Sequence, residues 1–165
     1  MNYGAIFIGA HTGEFLEEKL APYINKKNIL IEPVFYNFEQ LKKKFASFRD
    51  TQFLDCAISN VDEVRNFYYI KQDSINKLGK HWASGIGSFS KDHILSHKTK
   101  RFQVVDEDIE SNKVEFLSFK TFQKKFGIEA IDLLHIDAEG AEFDIMHNID
   151  YKSIDIKKSI AYNMS

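Results

Sequence analysis

The chain has 165 residues, of which 44% are hydrophobic and 28% charged, and its formal net charge is −2. This length fits one domain with a core of its own, and the balanced charge excludes an acidic disordered tail and a basic nucleic-acid-binding arm. The single cysteine, Cys56, excludes an internal disulfide and is typical of a reduced, cytoplasmic protein.

The first third of the chain predicts strands that alternate with helices. A continuous apolar run predicts a buried strand over residues 5–8, and two further segments rich in apolar residues predict strands over 28–32 and 53–58. Large apolar residues at helical spacing predict helices over 14–23 and 38–48. Since the two kinds of element alternate, we expect an α/β fold with a mostly parallel sheet and right-handed crossovers.

The rest of the chain continues this pattern less regularly. We expect strands over 64–71, 102–106, 114–119 and 131–136 and a last strand from 159. We also expect helices over 119–126 and 141–148 and a Gly- and Ser-rich loop over 79–90. No apolar run approaches the roughly 18 residues that span a bilayer, and no basic stripe is present. We therefore expect neither a membrane nor a nucleic-acid partner.

A glycine-containing turn follows the first predicted strand. It comprises Gly9, Ala10, His11, Thr12 and Gly13. A glycine directly after a strand allows a tight turn, and one at the start of a helix allows a ligand to approach the main chain. The turn lacks the GxGxxG pattern, so tight packing alone is the alternative explanation.

Glu32 ends the second predicted strand, 19 residues beyond Gly13. An acid at about this spacing accepts hydrogen bonds from ribose hydroxyls in dinucleotide-binding folds. The alternative is a helix-cap acid before Pro33. The turn and Glu32 together favour a cofactor that carries a nucleoside, because both lie at strand carboxyl ends beside one crevice.

Two further segments follow strands at the same edge. Asp55, Cys56 and Ala57 end the third strand, where an acid and small side chains suit an adenine ring; strand-end polarity and a buried cysteine are the alternative. Strand alternation places His135 and Asp137 on one side of a later strand.

The acids after Asp137 have simpler explanations than a metal. Glu142 opens a predicted helix, where an acid is expected as a cap. Asp137, Glu139 and a histidine lack a metal-ligand spacing, so no metal is expected.

Three segments of the chain, over 7–15, 31–38 and 133–143, resemble the FkbM-type methyltransferases in sequence, order and spacing. The most specific of them reads HIDAEGAEF from His135. The resemblance covers nearly the whole chain and implies one domain over 1–165, a Rossmann-like class I three-layer sandwich. It also implies S-adenosylmethionine as the cofactor and methyl transfer to a hydroxyl of a sugar or natural product, so that the partner is a small-molecule or carbohydrate acceptor.

The resemblance also implies roles for particular residues. Asp137 falls beside the methyl group and the acceptor. For the cofactor, the resemblance assigns the methionine part to the turn residues Gly9, Ala10, His11 and Gly13. It assigns the ribose to Glu32 and the adenine to Asp55, Cys56 and Ala57.

Three departures from the family pattern accompany the resemblance. Phe7 stands where the family usually has an acid, and His11 replaces the usual asparagine. The chain also stops near the fifth strand, so the final hairpin of class I methyltransferases is expected to be missing. An uncovered sheet edge favours pairing with a second copy, so a homodimer is expected.

An aliphatic hydroxyl loses its proton when it is methylated, so a general base assists the transfer. Asp137, His135 and His11 are the candidate catalytic residues. Two other functions stay open: a non-catalytic binding module with this fold, motivated by Phe7 and the missing strands, and a nicotinamide-dependent oxidoreductase, which the spacing of Glu32 permits but the absence of GxGxxG disfavours.

Overall fold

The computed structural model describes residues 1–138 and 140–162, so Glu139 lies outside the described residues. The chain divides into two compact units, the first formed by Met1–Glu63 with Glu115–Ser165 and the second by Val64–Val114. One domain over the whole chain stays a prediction.

The first unit contains a sheet of short parallel strands and four helices. In chain order its elements are β1 (Asn2–Ile8), α1 (Leu16–Leu20), β2 (Asn28–Ile31), α2 (Phe35–Lys44), β3 (Thr51–Leu54), β4 (Ala57–Ser59), the end of β7 (Ile109–Ser118), α5 (Phe119–Lys125), β8 (Ala130–Ile136), α6 (Glu142–His147), β9 (Asp155–Ile156) and β10 (Ser159–Ala161). A 3₁₀ turn over Ala21–Tyr23 extends α1.

The sheet order places β1 at the centre of the first unit. The described strands run β10-β8-β1-β2-β3, with β9 also paired to β8, and all these pairs are parallel. The α/β class and the mostly parallel sheet are therefore confirmed. From β1 the chain adds β2 and β3 on one side, whereas β8 lies on the other side. Such a reversal opens a crevice at the carboxyl ends of β1 and β8.

Helices pack on both faces of this sheet because neighbouring residues of β1 point to opposite sides. Phe7 packs in one buried cluster with Leu20 of α1 and Leu41 of α2. Ile8 packs in another with Phe122 of α5 and Ile145 of α6. Each such fully buried side chain contributes roughly 1.5–3 kcal/mol to folding, so the central strand is fixed from both faces.

The third predicted strand, over 53–58, is wrong as a single element. β3 ends at Leu54 and pairs with β2, whereas β4 begins at Ala57 and pairs with β7. Asp55 and Cys56 lie between the two strands and belong to neither. Apolar residues on both sides of Asp55 had concealed the break.

The second unit is built around an antiparallel pair. Its elements are β5 (Glu63–Ile70), α3 (Gln72–Leu78), β6 (Gly87–Ser88), α4 (Lys91–Ser96) and the start of β7. In the pair, Tyr68 lies opposite Ser88 and Tyr69 opposite Gly87. The expected loop over 79–90 contains a 3₁₀ helix, His81–Gly85, as well as β6.

The predicted strand over 102–106 is also wrong. Phe102 forms only an isolated bridge with Thr99, and a 3₁₀ helix begins at Asp106. Phe102 and Val104 are nevertheless fully buried in the apolar cluster of the second unit. Burial at alternate positions produced the strand-like pattern without a strand partner.

Gly9→Ala is expected to lower the free energy of unfolding by about 3 kcal/mol or more, as measured by urea titration. Gly9 has φ +77°, and a Cβ there would overlap the carbonyl oxygen of Asp137. Gly127→Ala is the matched control in the same unit, because Gly127 has φ +57° but a Cβ would meet only Met1 Cε at 3.7 Å. Its loss should be about 1 kcal/mol. Equal losses in the two variants would contradict the close approach as the cause.

Candidate functional site

The turn after β1 is tied directly to the end of β2. The backbone N–H groups of Gly9 and Ala10 both donate to the carbonyl of Ile31, at 3.0 and 2.8 Å. Gly9, His11 and Gly13 all have positive φ, which the expected tight turn requires. A non-glycine residue in this region is uncommon, so His11 is held there by its surroundings.

Gly13 has a packing reason for its missing side chain. A Cβ at Gly13 would overlap the ring of Phe45, and Leu41 Cδ1 would lie 3.0 Å away. The tight-packing explanation therefore accounts for this glycine, and a ligand role for it stays a prediction.

Glu32 connects the turn to the start of α2. Its carboxylate is only 5% exposed, and it accepts hydrogen bonds from the backbone N–H groups of His11 (2.9 Å) and Val34 (3.0 Å). Burial raises the pKa of Glu32 to about 7; the bonds from Val34, His11 and the Asn37 side chain oppose that shift, and the charge of Asp137 adds to it.

These contacts leave Glu32 limited room for a ligand. A carboxylate offers about four acceptor positions, and three donors already use Glu32. A carboxylate is the kind of acceptor that ribose hydroxyls need, and the ribose role of Glu32 stays a prediction.

Asp137 lies at the carboxyl end of β8, beside the turn. Its N–H donates to the carbonyl of Ile8 at 2.9 Å, and its own carbonyl occupies the space left by the missing side chain of Gly9. Burial, and then the charge of Glu142, raise the pKa of this half-buried carboxyl, whereas Lys19 lowers it. Asp137 thus lies at the edge of the sheet where the cofactor crevice is expected.

His135 is placed differently from Asp137. It is 3% exposed, its ring centroid lies 5.0 Å from that of Phe7 in a tilted arrangement, and its Nε2 lies 2.9 Å from the ammonium of Lys19. An ammonium only donates, so we assign the ring proton to Nδ1, which has no hydrogen-bond partner among the described residues.

Burial, reinforced by the charge of Lys19, lowers the pKa of His135 to about 4. The ring is therefore neutral at pH 7, but its lone pair is occupied by Lys19. Lys19 also donates to the Tyr162 hydroxyl at 3.2 Å. Among the three candidate bases, His135 is the one with the least access to a substrate in this arrangement.

His11 lies in the turn, half-buried, with its Nδ1 3.4 Å from the Thr12 hydroxyl. Its backbone is fixed by Glu32, and its ring is on the turn that the family resemblance assigns to the cofactor. Its roles as a cofactor-binding residue and as a base stay predictions.

The three residues expected on the adenine side have different surroundings. The N–H of Glu32 donates to the carbonyl of Leu54 at 3.0 Å, so exposed Asp55 comes directly beside Glu32 at the carboxyl edge. Ala57 is half-buried in β4. Cys56 is buried in the apolar cluster that also contains Ile58, and burial raises the pKa of its thiol to about 12. The side chain of Cys56 packs in the core, which matches the buried-cysteine alternative.

Glu142 opens α6 as expected, but the interpretation of its side chain as a helix cap is wrong, because the N-cap position is Ala141 and no side chain caps the helix there. The buried Glu142 carboxylate instead accepts from the N–H groups of Ala138 (2.7 Å) and Gly140 (2.9 Å), which precede the helix. Within residues 1–138 and 140–162, no group of three or more His, Cys, Asp or Glu side chains could hold a metal ion.

Sequence reasoning missed Lys19, Tyr162 and Asn37. Lys19 is 116 positions from His135 along the chain, and no local pattern relates the two residues. Asn37 gave a weak signal, since a polar residue interrupts the apolar face of α2 and is nearly fully buried.

The comparison with protein families agrees with this geometry. The model of the methyltransferase FkbM domain matches residues 8–164. The chain belongs to the FkbM methyltransferase family. No curated protein and no solved structure matches it. In the part of the chain that the structure describes, every helix is too short or too polar to cross a membrane.

The raised pKa of Glu32 predicts a pH-dependent stability. The pKa is about 7 in the folded chain against 4.5 for an unperturbed group, so between these values the folded state holds the proton more tightly. The contribution of Glu32 to the free energy of unfolding is therefore fully present below pH 4.5. It falls by up to about 3 kcal/mol as the pH rises through 7.

Glu32→Gln removes this titration. Urea unfolding between pH 5 and 8 should show the wild-type chain losing stability relative to the variant as the pH rises. Parallel pH profiles for the two proteins would contradict the shift, whereas a constant offset between them is expected from the lost hydrogen bond.

Proposed function

We propose that the chain is an S-adenosylmethionine-dependent methyltransferase of the class I, three-layer type, acting on a hydroxyl of a sugar or natural product. The observation that carries the proposal is the hydrogen bond between Glu32 and the turn after β1, at the edge of the sheet where β1 and β8 end. An acid held beside a glycine-containing turn at this edge supports a nucleoside-bearing cofactor in a chain of the FkbM methyltransferase family.

The residues at this edge have distinct tasks in the proposal. The turn from Gly9 to Gly13 borders the methionine part of the cofactor, Glu32 accepts from the ribose, and Asp55 lies on the adenine side. The N–H groups of Gly9 and Ala10 are already bonded to Ile31, so the turn contributes shape more than free donors.

The bound cofactor supplies an electrophilic methyl group on a sulfonium. The protein aligns the acceptor hydroxyl with that methyl group and takes up its proton. Asp137 is the preferred base, because it lies at the crevice edge and burial raises its pKa, which makes a carboxylate more basic. His11 is the second candidate, and the contact with Lys19 disfavours His135.

Phe7 stands where the family usually has an acid, and its surroundings are apolar. Its side chain is fully buried with Leu20 and Leu41. In this chain, the position of the family acid therefore holds a core side chain. We expect Lys19 and Asp137 to provide the charges beside the cofactor. A cytoplasmic location and a homodimer remain part of the proposal, on the evidence of the single cysteine and of the β10 edge.

Calorimetric titration with S-adenosylhomocysteine tests the cofactor assignment. The wild-type chain should show saturable one-to-one binding, and Glu32→Gln should bind at least about tenfold more weakly, because a neutral amide accepts less strongly than a carboxylate. Glu39→Gln is the matched control, since Glu39 lies on α2 in a surface ion pair with Lys42 (2.6 Å) and should leave the affinity unchanged.

NADH is titrated in parallel and should not bind. No binding of S-adenosylhomocysteine by the folded wild-type chain would contradict the proposal and favour a non-catalytic module. Saturable binding of NADH alone would favour the nicotinamide alternative. Circular dichroism of each variant shows whether a lost affinity reflects a lost fold.

A further inference from the structure

Two histidines lie side by side in the second unit, away from the residues used above. His93 is on α4 and His97 follows its last residue, so they are one helical turn apart. Their Nε2 atoms are 3.4 Å apart, and their rings meet edge-on with centroids at 5.1 Å. The proposed methyl transfer uses neither residue.

This separation suits a shared metal ion. Zinc binds histidine nitrogen at about 2.0–2.1 Å, and two such bonds at a tetrahedral angle place the nitrogens about 3.4 Å apart. Two histidines at positions i and i+4 on one helix face also supply the zinc ligands of metalloprotease helices. The two Nε2 atoms therefore stand at the separation that one tetrahedral ion needs.

The backbone under the two rings is well anchored. The Ser90 hydroxyl caps α4 by accepting from the N–H of His93 at 3.4 Å, and the N–H of His97 donates to the carbonyl of Ile94 at 3.2 Å. Ile94 is fully buried in the apolar cluster that contains Phe102. The backbone that carries both rings is therefore held by hydrogen bonds and by a buried apolar side chain.

The competing explanation is a simple hydrogen bond between the two rings, which the same contact also allows.

We infer that His93 and His97 form a binding site for one late first-row divalent metal ion, with water completing the coordination. Imidazole ligands suit Zn²⁺, Ni²⁺ and Cu²⁺, and the tetrahedral separation favours Zn²⁺. The site is independent of the proposed methyl transfer. A bound ion would link His93 on α4 to His97, which follows the helix. It would stabilise the folded second unit by mass action.

Zinc titration of the chain, with any purification tag removed, tests this inference by calorimetry at pH 7.5. One saturable site is expected in the wild-type chain. His93→Gln and His97→Gln should each weaken zinc binding by more than roughly tenfold. Losing a hydrogen-bond partner of a metal ligand already costs roughly that much, and losing the ligand itself should cost more. His81→Gln is the matched control, because His81 is an exposed histidine in the same unit and should leave zinc binding unchanged.

Thermal unfolding gives a second readout that does not depend on the heat of binding. Zinc should raise the melting temperature of the wild-type and His81→Gln chains, but not of the folded His93→Gln, His97→Gln double variant. No saturable zinc binding by the wild-type chain would overturn the inference. So would equal binding by the wild-type chain and both single variants.

Discussion

The carboxylate of Glu32 is the contact on which the candidate site depends. It bonds the N–H of His11 in the turn after β1 and the N–H of Val34 at the start of α2. Two loops that leave neighbouring strands are thereby held at one edge of the sheet. The buried charge has an energetic cost, as its raised pKa shows, and the backbone donors offset part of that cost. A bound nucleoside would add a further donor to the same carboxylate.

The opposite side of the crevice is fixed by a contact without charge. The carbonyl of Asp137 rests where a side chain at Gly9 would be, so β1 and β8 approach closely at their carboxyl ends. Asp137 follows this close approach directly, and its charge raises the pKa of Glu32, whereas His135, two residues earlier, contacts Lys19. The two residues that strand alternation placed on one side therefore have different surroundings, one at the crevice edge and one beneath α1.

Local patterns in the sequence were sufficient to predict the central part of the fold. The apolar runs of β1, β2 and β8 are each buried by neighbours on both faces, and Gly9 adopts the positive φ that a tight turn needs. The break between β3 and β4 was missed because apolar residues lie on both sides of Asp55, and the side chain of Cys56 is buried in the core although it belongs to no strand. The segment over 102–106 was misread because burial at Phe102 and Val104 imitates strand alternation.

Long-range contacts set the limit of prediction for the site itself. Glu32 was found from its spacing, but its two backbone partners depend on how the turn and α2 meet in space. Lys19 meets His135 and Tyr162 only after three elements have packed together. Such contacts leave no periodic signal in the chain, so the charge environment of the candidate bases could not be predicted from sequence.

The most direct test of the account is an amide chemical-shift titration of the ¹⁵N-labelled chain with S-adenosylhomocysteine. The account predicts saturating shifts with one dissociation constant at the amides of residues 9–13, 32, 34, 137 and 138. Saturating shifts confined to another surface, such as the cavity lined by Lys120, Gln123 and Asp150, would contradict it.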